Sequence, residues 1–135
     1  MRRGQGSLHI CVAEGDDGVR RILELALRHF GHQVEGCALG TEVLQTLEPG
    51  SFDLLMIDLQ LGIPNGLEVL TQLYSKGIRI PAILLSSRFP DRILRGQGVP
   101  PNVSLLLKPF SLDRLERSIE EHRRYQGIPP FEACP

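Results

Sequence analysis

Short apolar runs alternate along the chain with segments in which apolar residues recur every three or four positions. A short apolar run bounded by turn residues is typical of a strand buried on both faces, whereas the longer spacing places apolar side chains on one face of a helix. The runs predict five strands, within residues 8–13, 32–37, 54–57, 80–85 and 103–107. The second of these patterns is the weakest, with Val34 as its apolar centre.

A helical pattern follows each predicted strand. Three helices are predicted at residues 19–30, 39–47 and 66–76, and Ser111 can cap a last one. Glycine and proline within residues 96–101 confine a helix that opens at Pro90 to about two turns. The side chains expected to face the core are Val19, Ile22, Leu23, Ala26, Leu27, Phe30, Val43, Leu44, Leu47, Leu67, Leu70, Leu73, Tyr74, Leu112, Leu115 and Ile119.

The regular alternation of strand and helix predicts the fold class. Strands joined through helices in right-handed crossovers form one parallel sheet. We therefore expect an α/β domain with a doubly wound five-stranded parallel sheet and helices on both faces. The chain of 135 residues suits one such domain, at residues 8–124, between an N-terminal extension at 1–7 and a mobile proline-containing tail at 125–135.

Charge and cysteine content narrow the setting in which the protein works. A formal net charge of −1 gives no general attraction to nucleic acid or to an anionic membrane. The apolar stretch near the N-terminus is interrupted at Glu14 and is too short for a signal peptide or a membrane span. Because Cys11, Cys37 and Cys134 are odd in number and lack metal-ligand spacing, we expect reduced thiols and a cytoplasmic location.

Polar residues follow four of the five strands, at the ends that meet at one edge of a parallel sheet. Glu14 and Asp16 follow the first strand, Asp58 the third, Ser86 the fourth and Lys108 the fifth. In doubly wound sheets this edge forms the ligand-binding crevice. A structural alternative is that Asp58 only ends its strand or starts a turn.

Brought together, these groups suit phosphoryl chemistry. Neighbouring carboxylates favour a hard cation such as Mg²⁺, and a hydroxyl with an ammonium can neutralise phosphoryl oxygens while Asp58 attacks phosphorus. The set predicts a phosphoryl acceptor and not a hydrolase with its own general base.

The order and spacing of several residues resemble the receiver domain of two-component response regulators, over residues 8–122. Arg20 lies six residues beyond Glu14, and Gly31 closes the first helix. Asp58 lies eight residues before Gly66, and Pro81 lies five residues before Ser86. The last match is the tripeptide Lys108-Pro109-Phe110. The resemblance implies a flavodoxin-like sheet of the receiver type.

The resemblance also implies roles for individual residues. Asp58 would take a phosphoryl group from a histidine kinase or a histidine phosphotransfer protein, and Ser86 and Lys108 would bind its oxygens. Mg²⁺ would be held by Glu14, Asp58 and the backbone carbonyl of Gln60. The Lys108–Pro109 bond would be cis, and phosphorylation would draw the hydroxyl inward and repack the face made by the fourth helix, fifth strand and fifth helix.

Several positions depart from the family pattern. Gly15 stands where the family has a second acid, which binds the metal directly, so we expect weaker Mg²⁺ binding unless Asp16 swings in. Leu105 replaces a frequent aromatic switch residue, and residues 96–101 shorten the fourth helix. Asn65 for a common aspartate is a milder change, as is glycine for a common proline at position 62.

The leading interpretation is a stand-alone phospho-acceptor, not an enzyme in the ordinary sense, whose output is a contact with a downstream protein. A degenerate receiver that serves as a phosphorylation-independent docking module is the alternative favoured by Gly15. A flavodoxin-like small-molecule binder is a more distant third, because a glycine-rich phosphate loop is lacking after the first strand. Neither nucleic acid nor membrane is expected as a partner, and self-association as a homodimer stays open.

Overall fold

In the computed structural model, residues 6–127 are described, with side chains through residue 123. Five strands and five helices alternate in this range. They are β1 (His9–Ala13), α1 (Asp17–His29), β2 (Gln33–Cys37), α2 (Gly40–Thr46), β3 (Leu54–Asp58), α3 (Gly66–Ser75), β4 (Ala82–Ser86), α4 (Asp91–Leu94), β5 (Val103–Leu107) and α5 (Leu112–Gly127).

The strands form one parallel sheet in the order β2-β1-β3-β4-β5. The strand order reverses between β1 and β3, which places the ligand crevice of a doubly wound sheet at the carboxyl ends of those two strands. Ala13 is in register with Ile57, so the residues after them, Glu14 and Asp58, leave the sheet side by side. The predicted fold class is confirmed.

The core has one layer on each face of the sheet. One layer, with Val43, Leu70 and Ile93, lies between the sheet and α2, α3 and α4. The other, with Leu27 and Ile119, lies between the sheet and α1 and α5. Each residue of β3 and β4 is buried, as their continuous apolar runs predict.

Some side chains predicted to be in the core lie outside it. Val19 and Ile22 on α1 are 37% and 63% exposed, and Leu112 at the start of α5 is 55% exposed. The reason is geometric, because α1 packs through a narrow strip that includes Leu23 and Leu27, and the apolar stripe read from the sequence is wider than that strip.

Two helix lengths differ from those predicted. The short α4 has one turn and not two, because Arg95 is its C-cap and Gly96 follows with a positive φ. Helix α5 continues to Gly127, three residues into the predicted tail. Residues 128–135 of that tail, including Cys134, lie outside the described range, as do residues 1–5 of the N-terminal extension.

Two further sequence-based expectations concern the thiols and membrane spans. Cys11 and Cys37 are both buried and free. Within residues 6–127, none of the helices has the length and apolar character that crossing a membrane demands.

A close backbone approach explains the glycine eight residues after Asp58. A Cβ at Gly66 would overlap the carbonyl oxygen of Asp58 and would lie 3.0 Å from the Cα of Leu59. Because both neighbours are backbone atoms, they cannot turn away as a flexible side chain could.

We therefore expect Gly66→Ala to lower the free energy of unfolding by about 1–3 kcal/mol, the usual cost of overpacking. Urea unfolding monitored by circular dichroism measures the change. Gly15→Ala is the matched control, because its Cβ would have no neighbour closer than the Ala38 carbonyl oxygen at 3.7 Å. Equal midpoints for the two variants would contradict this account of Gly66.

Candidate functional site

The candidate site lies at the carboxyl edge of the sheet, where β1, β3, β4 and β5 end side by side. Glu14 follows β1, Asp58 ends β3, Ser86 ends β4 and Lys108 follows β5. The backbone N–H of Lys108 donates to the carbonyl of Ser86 at 2.8 Å, which extends the pairing of β4 with β5 by one residue. The Lys108–Pro109 bond is cis, as the resemblance implies, and the Ile63–Pro64 bond is cis as well.

The ammonium group of Lys108 joins the two carboxylates of the site. Its Nζ lies 2.6 Å from Oδ2 of Asp58 and 2.8 Å from Oε1 of Glu14. Each acid is only 4% exposed, and both distances are those of charge-assisted hydrogen bonds. A long side chain from an outer strand thus reaches the point at which the strand order reverses.

The remaining carboxylate oxygens accept hydrogen bonds from the backbone. Oε2 of Glu14 accepts from the N–H of Asp16 at 3.2 Å, and Oδ1 of Asp58 accepts from the N–H of Gln60 at 2.8 Å. Every oxygen of the two acids therefore has an N–H partner. This satisfies the requirement that buried charges be paired and hydrogen-bonded.

Burial and pairing act in opposite directions on the protonation of these groups. Burial raises the pKa of Glu14, the hydrogen bonds from Lys108 and from the N–H of Asp16 oppose the rise, and the nearby Asp58 adds to it. For Lys108, burial would lower the pKa, but the hydrogen bonds and charges of Asp58 and Glu14 outweigh it and raise the pKa. At neutral pH Lys108 is therefore a cation held between acids.

Ser86 is fully buried, and its hydroxyl forms hydrogen bonds with residues other than Asp58. Its Oγ lies 2.8 Å from Oε1 of Gln60 and 2.7 Å from the carbonyl oxygen of Arg88, and it accepts from the N–H of Arg88 at 3.2 Å. Ser86 is thus linked to Asp58 through Gln60, whose N–H binds the carboxylate. The side chain of Gln60 is the participant that the sequence interpretation missed, since only its backbone carbonyl was considered.

The acids that follow Gly15 are used by helix α1. Asp16 caps the helix by accepting from the N–H of Val19 at 3.0 Å, and Asp17 pairs with Arg20 at 2.7 Å. Arg20 also donates to the carbonyl oxygen of Glu14 at 2.8 Å, which accounts for the six-residue spacing of that pair. In this structure the carboxylate of Asp16 therefore serves as the cap of α1.

The groups that the resemblance implies for a metal ion are the carboxylates of Glu14 and Asp58, which lie together on Lys108, and the carbonyl of Gln60. Within residues 6–127, His, Cys, Asp and Glu form no group of three or more that could hold a metal. Two carboxylates and a carbonyl fit a Mg²⁺ ion that keeps several waters, which is how this ion is usually held. Such an ion would share both carboxylates with Lys108.

A family model of the response regulator receiver domain matches residues 10–120 of the chain. The uncharacterized transcriptional regulatory protein YkoG of Bacillus subtilis is 32% identical over 121 residues, which are 88% of this chain and 52% of that protein. The response regulator protein PmrA of Pseudomonas aeruginosa is 33% identical over 118 residues, which are 83% of this chain and 51% of that protein. The chain spans about half the length of these curated relatives.

Solved structures agree in fold with this match. The receiver domain of the Francisella response regulator 1452 superposes with a TM-score of 0.76 at 22% identity, covering 88% of this chain and 98% of that one. The response regulator protein TrrA of Thermotoga maritima, in complex with Mg²⁺ and BeF, gives 0.72 at 23% identity, with 84% and 97% covered. The chain belongs to the response regulator receiver domain family of two-component systems.

The contacts of Lys108 predict how the stability of the fold depends on pH. A carboxyl such as Glu14, whose pKa is higher in the folded than in the unfolded chain, contributes stability at low pH that is lost as the pH rises through its folded pKa. Lys108→Met removes a contact that holds this pKa down. We expect the variant to lose about 3 kcal/mol of unfolding free energy near pH 8, and less near pH 5, because acid favours the protonated form of Glu14.

Urea unfolding at both pH values measures the loss. Lys76→Met, at the exposed C-cap of α3, is the matched control and should show a small loss that does not depend on pH. A Lys108→Met loss that is equal at both pH values, or larger in acid, would contradict the role assigned to Lys108.

Proposed function

We propose that this receiver domain accepts a phosphoryl group on Asp58 from a histidine kinase or a histidine phosphotransfer protein, and signals through contact with a downstream protein. The observation that carries the proposal is the ammonium of Lys108, held 2.6 Å from the carboxylate of Asp58 at a buried sheet edge with the Ser86 hydroxyl at the end of the adjoining strand. The free state of Cys11 and Cys37 supports a cytoplasmic setting.

The chemistry follows from the positions of these groups. An oxygen of Asp58 attacks phosphorus and forms a P–O bond, while the bond from phosphorus to the donor breaks and its electron pair leaves with the donor, an imidazole nitrogen or a carboxylate. Lys108 balances the charge of the acyl phosphate, and Ser86 donates a hydrogen bond to a phosphoryl oxygen. Mg²⁺ bound to Glu14, Asp58 and the carbonyl of Gln60 would neutralise phosphoryl charge.

A second candidate function has its own support. Gly15 removes one carboxylate from the site, and the two that are left already have an internal N–H partner for every oxygen. Such a site is electrostatically satisfied without a cation or a phosphoryl group. A docking module that keeps the fold and is not phosphorylated would need nothing more.

Labelling by a small phosphoryl donor separates the two candidates. Incubation with Mg²⁺ and acetyl phosphate should add a single phosphoryl mass, measured on the intact protein, because Asp58 is the acid that lies against Lys108 beside the strand that ends in Ser86. Asp58→Asn should abolish the label. Asp53→Asn, at the other end of β3, is the matched control and should keep it.

The Gly15→Asp variant shows what an absence of label on the unsubstituted chain means. If only this variant is labelled, the natural site is an acceptor weakened by its missing acid. If the unsubstituted chain and Gly15→Asp both stay unlabelled by acetyl phosphate, the acceptor proposal fails and the docking module replaces it.

The missing acid also predicts a change in metal affinity. Gly15 does not have a positive φ, and a Cβ there would make only an ordinary contact, 3.7 Å from the Ala38 carbonyl oxygen, so a side chain can begin at this position without backbone strain. We expect Gly15→Asp to bind Mg²⁺ at least about tenfold more tightly, because the charge of the ligands sets the affinity for this cation. Isothermal titration calorimetry measures the affinity.

Gly15→Asn is the control for this measurement, since it has nearly the same size as aspartate but no charge. It should stay near the affinity of the unsubstituted chain. An unchanged affinity in Gly15→Asp would mean that position 15 does not face the metal and that the alignment of Glu14 and Gly15 with the family's acid pair is wrong.

A further inference from the structure

The hydrogen bond between Ser86 and Gln60 links two loops of the site. Ser86 ends β4 with its side chain fully buried, whereas Gln60 lies in the loop after β3 and is exposed. The side-chain oxygen of Gln60 is 2.8 Å from the Ser86 hydroxyl, and the backbone N–H of Gln60 is 2.8 Å from Oδ1 of Asp58. Gln60 therefore contacts both the residue that would carry a phosphoryl group, Asp58, and the residue that would donate a hydrogen bond to it, Ser86.

A serine hydroxyl has one proton and can donate only one full hydrogen bond at a time. Its two acceptors here differ in where they belong. The carbonyl of Arg88 lies in the same turn as Ser86, two residues further along, whereas Gln60 belongs to the loop that follows Asp58. Gln60 is thus the acceptor that ties the hydroxyl to the Asp58 loop.

We infer that Gln60 is a positioning residue that holds the Ser86 hydroxyl while Asp58 is unmodified and releases it when Ser86 donates to a phosphoryl oxygen. This inference rests on the proposed function, because it names how the same site changes between its two states. One hydrogen bond is exchanged for another. The exposed amide of Gln60 passes to water on release, so the exchange is not opposed by a buried unsatisfied group.

The first test needs neither metal nor phosphoryl donor. Three-bond NMR couplings report the χ1 rotamer of Ser86 in the ligand-free protein. We expect one rotamer in the unsubstituted chain and a smaller population of that rotamer in Gln60→Met, which keeps the length of the side chain but has no strong acceptor, so that only the Arg88 contacts hold the hydroxyl. Gln45→Met, an exposed position on α2, is the matched control and should keep the single rotamer.

The second test measures how tightly the site binds beryllofluoride with Mg²⁺, which mimics a phosphoryl group on a carboxylate. Gln60→Met should bind about fivefold more tightly, the size of one net hydrogen bond, because Ser86 no longer has to leave Gln60. In a Ser86→Ala background the same substitution should have no effect, since the hydroxyl is absent. A merely structural role of Gln60 would act equally in both backgrounds.

The outcomes separate this inference from the proposed function. If beryllofluoride binds but Gln60→Met changes neither the Ser86 rotamer nor the affinity, the inference is overturned and the acceptor proposal stands. Equal tightening with and without the Ser86 hydroxyl overturns it too. If neither the unsubstituted chain nor Gly15→Asp binds beryllofluoride, the acceptor proposal and the release step fall together.

Discussion

The site depends on one cation held between two buried acids. Without the ammonium of Lys108, Glu14 and Asp58 would be like charges at adjacent strand ends, each 4% exposed and without a counter-ion. Removal of one partner from such a set leaves a charge buried and uncompensated, which is far more costly than the net gain of the pair. The ion pairs therefore constrain where β1, β3 and β5 must end relative to one another.

The sheet topology makes this arrangement possible. Because the strand order reverses between β1 and β3, the two acids leave the sheet next to each other, and the loops that follow them diverge to opposite faces. Gly66 lets the chain after β3 fold back against the backbone of Asp58 itself. Two residues after Asp58, the backbone N–H of Gln60 reaches the carboxylate within a local turn. The strand order that defines the fold therefore also determines where the acids of the site lie.

Much of the fold could be predicted from the sequence, because buried parallel strands and amphipathic helices have distinct patterns. The prediction was wrong at Ile22 and Leu112, since apolar periodicity marks a face but does not tell how much of it a neighbour covers. The closeness of Lys108 to both acids could be predicted, because all three residues lie at the carboxyl ends of strands in one parallel sheet. The contact from Gln60 to Ser86 did not, because a glutamine rotamer is decided by atoms from distant segments that have no signature in the sequence.

In this site Lys108 is a cation stabilised by Asp58 and Glu14. A titration of its side-chain Nζ by NMR tests this most directly. We expect a pKa for Lys108 above the ordinary lysine value of about 10.4, and a lower pKa once the charge of Asp58 is removed in Asp58→Asn. A Lys108 pKa at or below the ordinary value, unchanged by that substitution, would mean that the two acids do not stabilise the ammonium.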